Sequence, residues 1–115
     1  MIKVRLKQSD NGKTLMLTVQ GHAGQADIGH DIVCSSASIL AYTAAQIVQD
    51  LDKAGKLKNK PTIRLEKGDC CITCKPTKDR FDATFVAFTT IQVGYALLAH
   101  NYPDFVHLVP FGESV

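Results

Sequence analysis

Two residues of this chain have the types and spacing for covalent catalysis: His22 and Cys34, with a glycine-rich stretch between them. A thiolate is a strong nucleophile, and a nearby imidazole can take the thiol proton and later hand it to a leaving group, which is what acyl transfer by a cysteine enzyme requires. The intervening Gly21-His22-Ala23-Gly24-Gln25-Ala26-Asp27-Ile28-Gly29 has three glycines and no sustained period, so it predicts a mobile loop that can fold back and bring the imidazole to the sulfur. Asp31 is a residue type favoured at helix N-caps, and a helix starting there puts Cys34 in the third helical position. Backbone N–H groups at that position lack intrahelical acceptors and lie at the positive end of the helix dipole. Both features favour thiolate over a thiol that otherwise titrates near ~8.5. The same N–H groups could hold a tetrahedral oxyanion.

Each of these residues also has a plainer reading. A cysteine flanked by apolar residues, as in Ile32-Val33-Cys34, is more often a small core side chain than a nucleophile. Cys71-Ile72-Thr73-Cys74 has the spacing of a zinc or redox pair, but strand residues three apart point to opposite faces, so the two sulfurs should not converge. Cys70 and Cys74 then share a face with Ile72 as packing residues, and Cys71 faces the other way. His30 is a rival base beside the helix start. His100 complements the dipole in a last helical turn, and His107 reads as a strand surface residue. The residues call for no metal and no cofactor.

The elements that must position His22 and Cys34 follow from periodicity. Ile2, Val4 and Leu6 alternate with Lys3, Arg5 and Lys7, and Leu15, Leu17 and Val19 alternate with Met16, Thr18 and Gln20, the period of half-buried strands. Asp10-Asn11-Gly12 between them supplies hairpin turn chemistry. Leu40, Ala44, Ile47 and Leu51 mark an apolar stripe on a helix of roughly six turns that begins near Asp31, carries Lys53 in its last turn and stops at Gly55. A basic connector, residues 53–61, leads to a second hairpin, Thr62–Glu66 and Cys70–Lys75 around Lys67-Gly68-Asp69. Val86, Thr89, Val93 and Leu97 repeat at helical spacing from about Asp79 until Asn101 and Pro103, and Phe105–Val109 reads as a last short strand. The order β-β-α-β-β-α-β predicts an α/β (α+β) fold, a two-layer sandwich in which a mixed sheet carries two helices on one face.

The 115 residues predict one domain spanning 1–115, with 45% hydrophobic and 21% charged residues, a composition that folds. The net charge of +2 gives no bulk electrostatic reason to make nucleic acid an obligatory partner. The alternating start, Met1 to Lys7, lacks the apolar run of a secretory signal. Segments Ile32–Gln49 and Ala83–Ala99 carry no Asp, Glu, Lys or Arg, yet their Ser, Thr and Gln give them the character of buried helices rather than membrane spans. A cytoplasmic location with reduced thiols follows, so four cysteines are no argument for disulfides. A helix apolar around much of its circumference needs cover on more than the sheet side, which a homodimer burying the second helix would supply.

Gly21-His22-Ala23, then Gly29-His30-Asp31-Ile32-Val33-Cys34, then Ser38, make this sequence similar to the bacterial ribosomal-processing cysteine protease (Prp) family. That family's pattern is a Gly-His-Ala element, a glycine-containing loop, and Asp-Ile-Val-Cys opening a helix. The resemblance covers about Gly21–Leu40; beyond it, element order and chain length agree. It implies Cys34 as nucleophile, His22 as base and later acid, Asp31 and Ser38 in support, and loop freedom at Gly21, Gly24 and Gly29. It also implies a homodimer that removes an N-terminal extension from a large-subunit ribosomal protein, cutting after paired aromatic residues before Ala. Ser35-Ser36 stands where Ala is common, a small-for-small change that leaves the helix start intact, and the loop Ala23 to Asp27 departs from the family, which bears on substrate side-chain preference more than on chemistry. The loop could complete the site only when peptide is bound. Two other classes stay open: a non-enzymatic ribosome-assembly or RNA-binding module using the connector lysines, which needs no thiol, and a thiol redox sensor without turnover.

Overall fold

Seven elements alternate in the predicted order: β1 (Ile2–Ser9), β2 (Thr14–Gln20), α1 (Ile28–Lys53), β3 (Thr62–Glu66), β4 (Asp69–Cys74), α2 (Phe81–Asn101) and β5 (Val106–Leu108). They belong to a computed structural model that describes residues 1–22 and 28–110, with residues 28–31 described as backbone alone. The sheet runs β3-β4-β2-β1-β5, antiparallel throughout except for the β1–β5 pair, and is therefore mixed. Alternation places Ile2, Val4 and Leu6 of β1, Leu15, Leu17 and Val19 of β2, and Ile72 and Cys74 of β4 in one core. Val33, Ala37, Ala41, Ala44 and Val48 of α1 and Phe88, Ile91, Tyr95 and Leu98 of α2 close over it. The expected two-layer α+β sandwich is the fold observed.

The two hairpins use different turn chemistry. Asp10 and Asn11 both take positive φ, followed by Gly12 at φ +82°, and the Lys13 N–H donates to the Asp10 carbonyl at 3.1 Å. Asn and Asp tolerate this left-handed backbone better than other L residues, which is why Asp-Asn-Gly closes the turn. In the β3–β4 hairpin Glu66 pairs with Asp69, leaving Lys67-Gly68 as the two-residue turn, with Gly68 at φ +76°. Arg64 clamps that turn from β3, its Nε and one terminal nitrogen each 3.1 Å from the Asp69 carboxylate. The guanidinium and the Gln20 amide hold the Asp69 carboxyl below the usual carboxylate range.

The helices depart from expectation in three ways. α1 starts at Ile28, three residues ahead of Asp31, so Asp31 is its fourth residue rather than its cap and Gly29 belongs to the helix rather than the loop. Capping preference is worth only about 1 kcal/mol, which tertiary packing overrides. On α2 the helical period is right, but Val86, Val93 and Leu97 are exposed, and Thr84, Phe88, Ile91, Tyr95 and Leu98 are the face on the sheet. Both helices also reach the length and apolar content of a membrane span, contrary to the sequence reading, while each commits one face to the sheet core.

Candidate active site

His22 lies two residues past the end of β2 and is exposed, beside the β3–β4 turn and the start of β1. The Gly21 N–H donates to the Gly68 carbonyl at 2.9 Å, tying the end of β2 to the β3–β4 turn, and the Met1 nitrogen donates to the His22 carbonyl. Gly21 sits at φ +102°, where a side chain would be strained and would also overlap the Met1 carbonyl. The imidazole itself lies against Gly68: a Cβ added there would stand 2.6 Å from His22 Nε2 and 3.2 Å from Nδ1. Gly68 is therefore glycine both for its turn and for the ring packed on it.

Cys34 reaches the same place from α1. It is the seventh residue of that helix, about two turns in, so the third-position expectation does not hold. The unsatisfied N–H groups belong to the first four residues, and the dipole effect fades within the first turn, so neither is centred on the sulfur. Cys34 is half-buried and packs against the core, one helical turn from Ala37 and Ser38. Beneath it the Tyr95 hydroxyl donates to the Ala37 carbonyl at 2.8 Å, pinning this stretch of α1 to α2. Burial pushes the Tyr95 phenol far up, so it stays a neutral donor.

A pocket of about 280 Å³ brings these pieces together. Gly21, His22, Cys34 and Ser38 line it, with Gly68, Tyr42 and Cys70 among the remaining walls. Of the sequence-derived site residues these first four converge; Gly24 lies outside the described residues, and Gly29 and Asp31 are placed only by their helical backbone. Gly68, Tyr42 and Cys70 had not been anticipated. Tyr42 lies eight residues after Cys34 on the same helical stripe, a spacing that could have found it. Gly68 reads locally as an ordinary turn glycine, and its contact with His22 arises from the long-range pairing Gln20↔Asp69.

The other thiols behave as the strand alternation predicts. Cys74 is in the core, where burial pushes its thiol up to about 12, which makes it inert. Cys70 is half-buried on the same face, its thiol donating to the Glu66 carbonyl at 3.6 Å, and burial followed by the Asp69 charge raises its pKa. Cys71 lies outside the core cluster. His100 falls in the last turn of α2 and His107 is exposed on β5, both as expected.

A half-buried thiol and an exposed imidazole line one small pocket, side-chain types capable of thiol acyl transfer. The family model for cysteine protease Prp matches residues 1–107. This chain belongs to the Prp cysteine protease family. It is therefore a cysteine protease. Its relatives include the ribosomal processing cysteine protease Prp of Staphylococcus aureus, 23% identical over 108 residues that cover 94% of this chain and 97% of the relative. The fold is shared with two solved structures of S. aureus ribosomal processing protease Prp. One, in complex with a substrate peptide, is 22% identical with TM-score 0.67, covering 96% of this chain and 99% of the other. The second, with a covalently linked product peptide, is 23% identical with TM-score 0.64 and the same coverage. A Streptococcus mutans protein of solved structure has the fold too, at 21% identity and TM-score 0.61 over 94% of this chain and 91% of that one.

Proposed function

We propose that this one-domain enzyme is a cytoplasmic endopeptidase that removes the N-terminal extension of a large-subunit ribosomal protein precursor, with Cys34 as nucleophile and His22 as general base. The observation that carries the reading is the shared pocket: His22 and Cys34, from separate elements, line one cavity of about 280 Å³. Cys34 Sγ attacks the scissile carbonyl as His22 takes its proton, and His22 returns that proton to the leaving amine, which departs as the new N-terminus of the mature protein. The N-terminal fragment stays on sulfur as a thioester. Water deprotonated by His22 then hydrolyses it, releasing a carboxylate and restoring the thiol. No cofactor is needed for any step.

Ser38, one turn beyond Cys34, and Gly21, ahead of His22, serve as supporting residues of the pocket wall; Gly24, Gly29 and Asp31 act in the approach from loop to helix. The substrate is an N-terminal peptide of a ribosomal protein, in keeping with the ribosomal processing named for the S. aureus relative. The working form is a homodimer covered across the exposed α2 stripe of Val86, Val93 and Leu97. Incubating the wild-type protein and Cys34→Ala with a precursor ribosomal protein, followed by intact-mass measurement, tests the assignment. Wild type should yield one shortened product and Cys34→Ala none; cleavage by both would refute it.

A further inference from the structure

The net charge of +2 hides an uneven distribution, because a second cavity, about 500 Å³, carries Lys13, Lys58 and Lys78 around its mouth with Pro76, Phe81 and Asp82 as the rest of its lining. These lysines come from three separate segments: the β1–β2 turn, the connector after α1 and the connector before α2. All three are exposed, and none is in an ion pair among the described residues. The nearby acids are largely taken. Asp10 is bound by Lys75 and further lowered by the fields of Lys13 and Lys58, and Asp79 is bound by Lys56, which leaves Asp82 as the acid on the rim. The cavity lies where β1 and β2 meet their turn, whereas His22 follows the other end of β2, about 20 Å away by strand rise.

Three cations on one cavity, none in an ion pair among the described residues, favour a polyanion, and the apolar part of the lining says which kind. Pro76 is buried and Phe81 half-buried in that lining, with the Phe81 ring stacked on Phe85 at a centroid distance of 6.1 Å. A half-buried aromatic side chain sharing one cavity with three lysines suits a base stacked on the ring with its flanking phosphates on the lysines, the pattern of single-stranded nucleic-acid sites. An acidic peptide would use the lysines and leave the aromatic side chain idle. The volume is in the range of pockets that take small ligands, enough for one nucleotide.

We propose that this end of the molecule docks single-stranded RNA, with Lys13, Lys58 and Lys78 on phosphates and Phe81 under a base. The peptide pocket, near the other end of β2, then remains open to a peptide. The site is not required for peptide cleavage itself, so its test is separate from that of the protease assignment. The full chain is titrated into a fluorescein-labelled single-stranded oligoribonucleotide of ten nucleotides at 50 and 200 mM KCl, read by anisotropy. Three phosphate contacts predict a salt slope of about −2, an affinity loss of about 20-fold between the two salts. K13Q/K58Q/K78Q should weaken binding tenfold or more at 50 mM and flatten the slope, Phe81→Ala should weaken it fivefold or more, and the lysine variant should cleave a short peptide as wild type does. Lys13→Glu and Lys58→Glu alone should each cost threefold or more, which keeps the test valid if the triple variant folds poorly. No binding, salt-independent binding, binding unchanged by the lysine substitutions, or equal binding of poly-glutamate would overturn the proposal.

Discussion

A histidine can serve a neighbouring thiol only if its ring is in reach, and the exposed His22 ring lies beside Gly68 of the β3–β4 hairpin. A Cβ at Gly68 would stand 2.6 Å from His22 Nε2, and the exposed His22 side chain is free to swing aside, so Gly68→Ala displaces the ring. We expect Gly68→Ala to lower kcat tenfold or more with KM little changed; an unchanged kcat would show that His22 does not act from this position. His22→Ala should abolish cleavage of a short peptide and His30→Ala should not, a comparison that a steady-state peptide assay decides. That His22 and Cys34 share one pocket was legible in the sequence because they stand only twelve residues apart, across the junction of β2 and α1. Gly68 was not, because its role depends on β2 pairing with β4, which no local pattern reveals.

At the scale of elements, periods were legible and faces were not. Alternation gave β1, β2 and β4 their buried sides, since a strand offers only two. An apolar helix offers several, and on α2 the stripe chosen from sequence was the exposed one. The helices meet where Gly94 faces Leu40, whose Cδ2 would be 2.9 Å from an added Cβ. Gly94→Leu should therefore destabilise the fold by about 1–3 kcal/mol, as overpacking does, read as a lower midpoint in urea; an unchanged midpoint would show that the helices can part freely. The entry to α2 carries a pH signature. Asp79 accepts hydrogen bonds from the Thr77 hydroxyl at 2.6 Å and from Lys56 at 3.0 Å, which holds its carboxyl down at about 2. Its folded value lies below the unfolded one, so this tie is present above the ordinary carboxylate value of 3.8 and is lost as pH falls through about 2. A carboxyl-carbon NMR titration should place its midpoint near 2, and Thr77→Ala should move it upward; a wild-type midpoint at 3.8 would contradict the hydrogen bonds.

For the whole molecule, the exposed stripe on α2 is what a lone copy leaves unexplained. Val86, Val93 and Leu97 are 61%, 58% and 59% exposed, and Ile39 and Tyr42 add apolar surface from α1. Such apolar exposure is the surface that the proposed homodimer would cover. Val93→Glu with Leu97→Glu should turn a dimer into a monomer in light scattering while far-ultraviolet circular dichroism stays the same; a wild-type monomer at micromolar concentration would remove the homodimer from the account. The uncharged helices made exposed apolar surface predictable, but which residues carry it became visible only once the sheet had claimed the opposite side.

The most direct test of the chemistry is to find where the cleaved fragment goes. Wild-type protein mixed briefly with a precursor N-terminal peptide and quenched in acid should carry the N-terminal fragment as a thioester, and tandem mass spectrometry should locate it on Cys34. Efficient cleavage with Cys34 never acylated, or an acyl group found on Cys70 instead, would contradict the account.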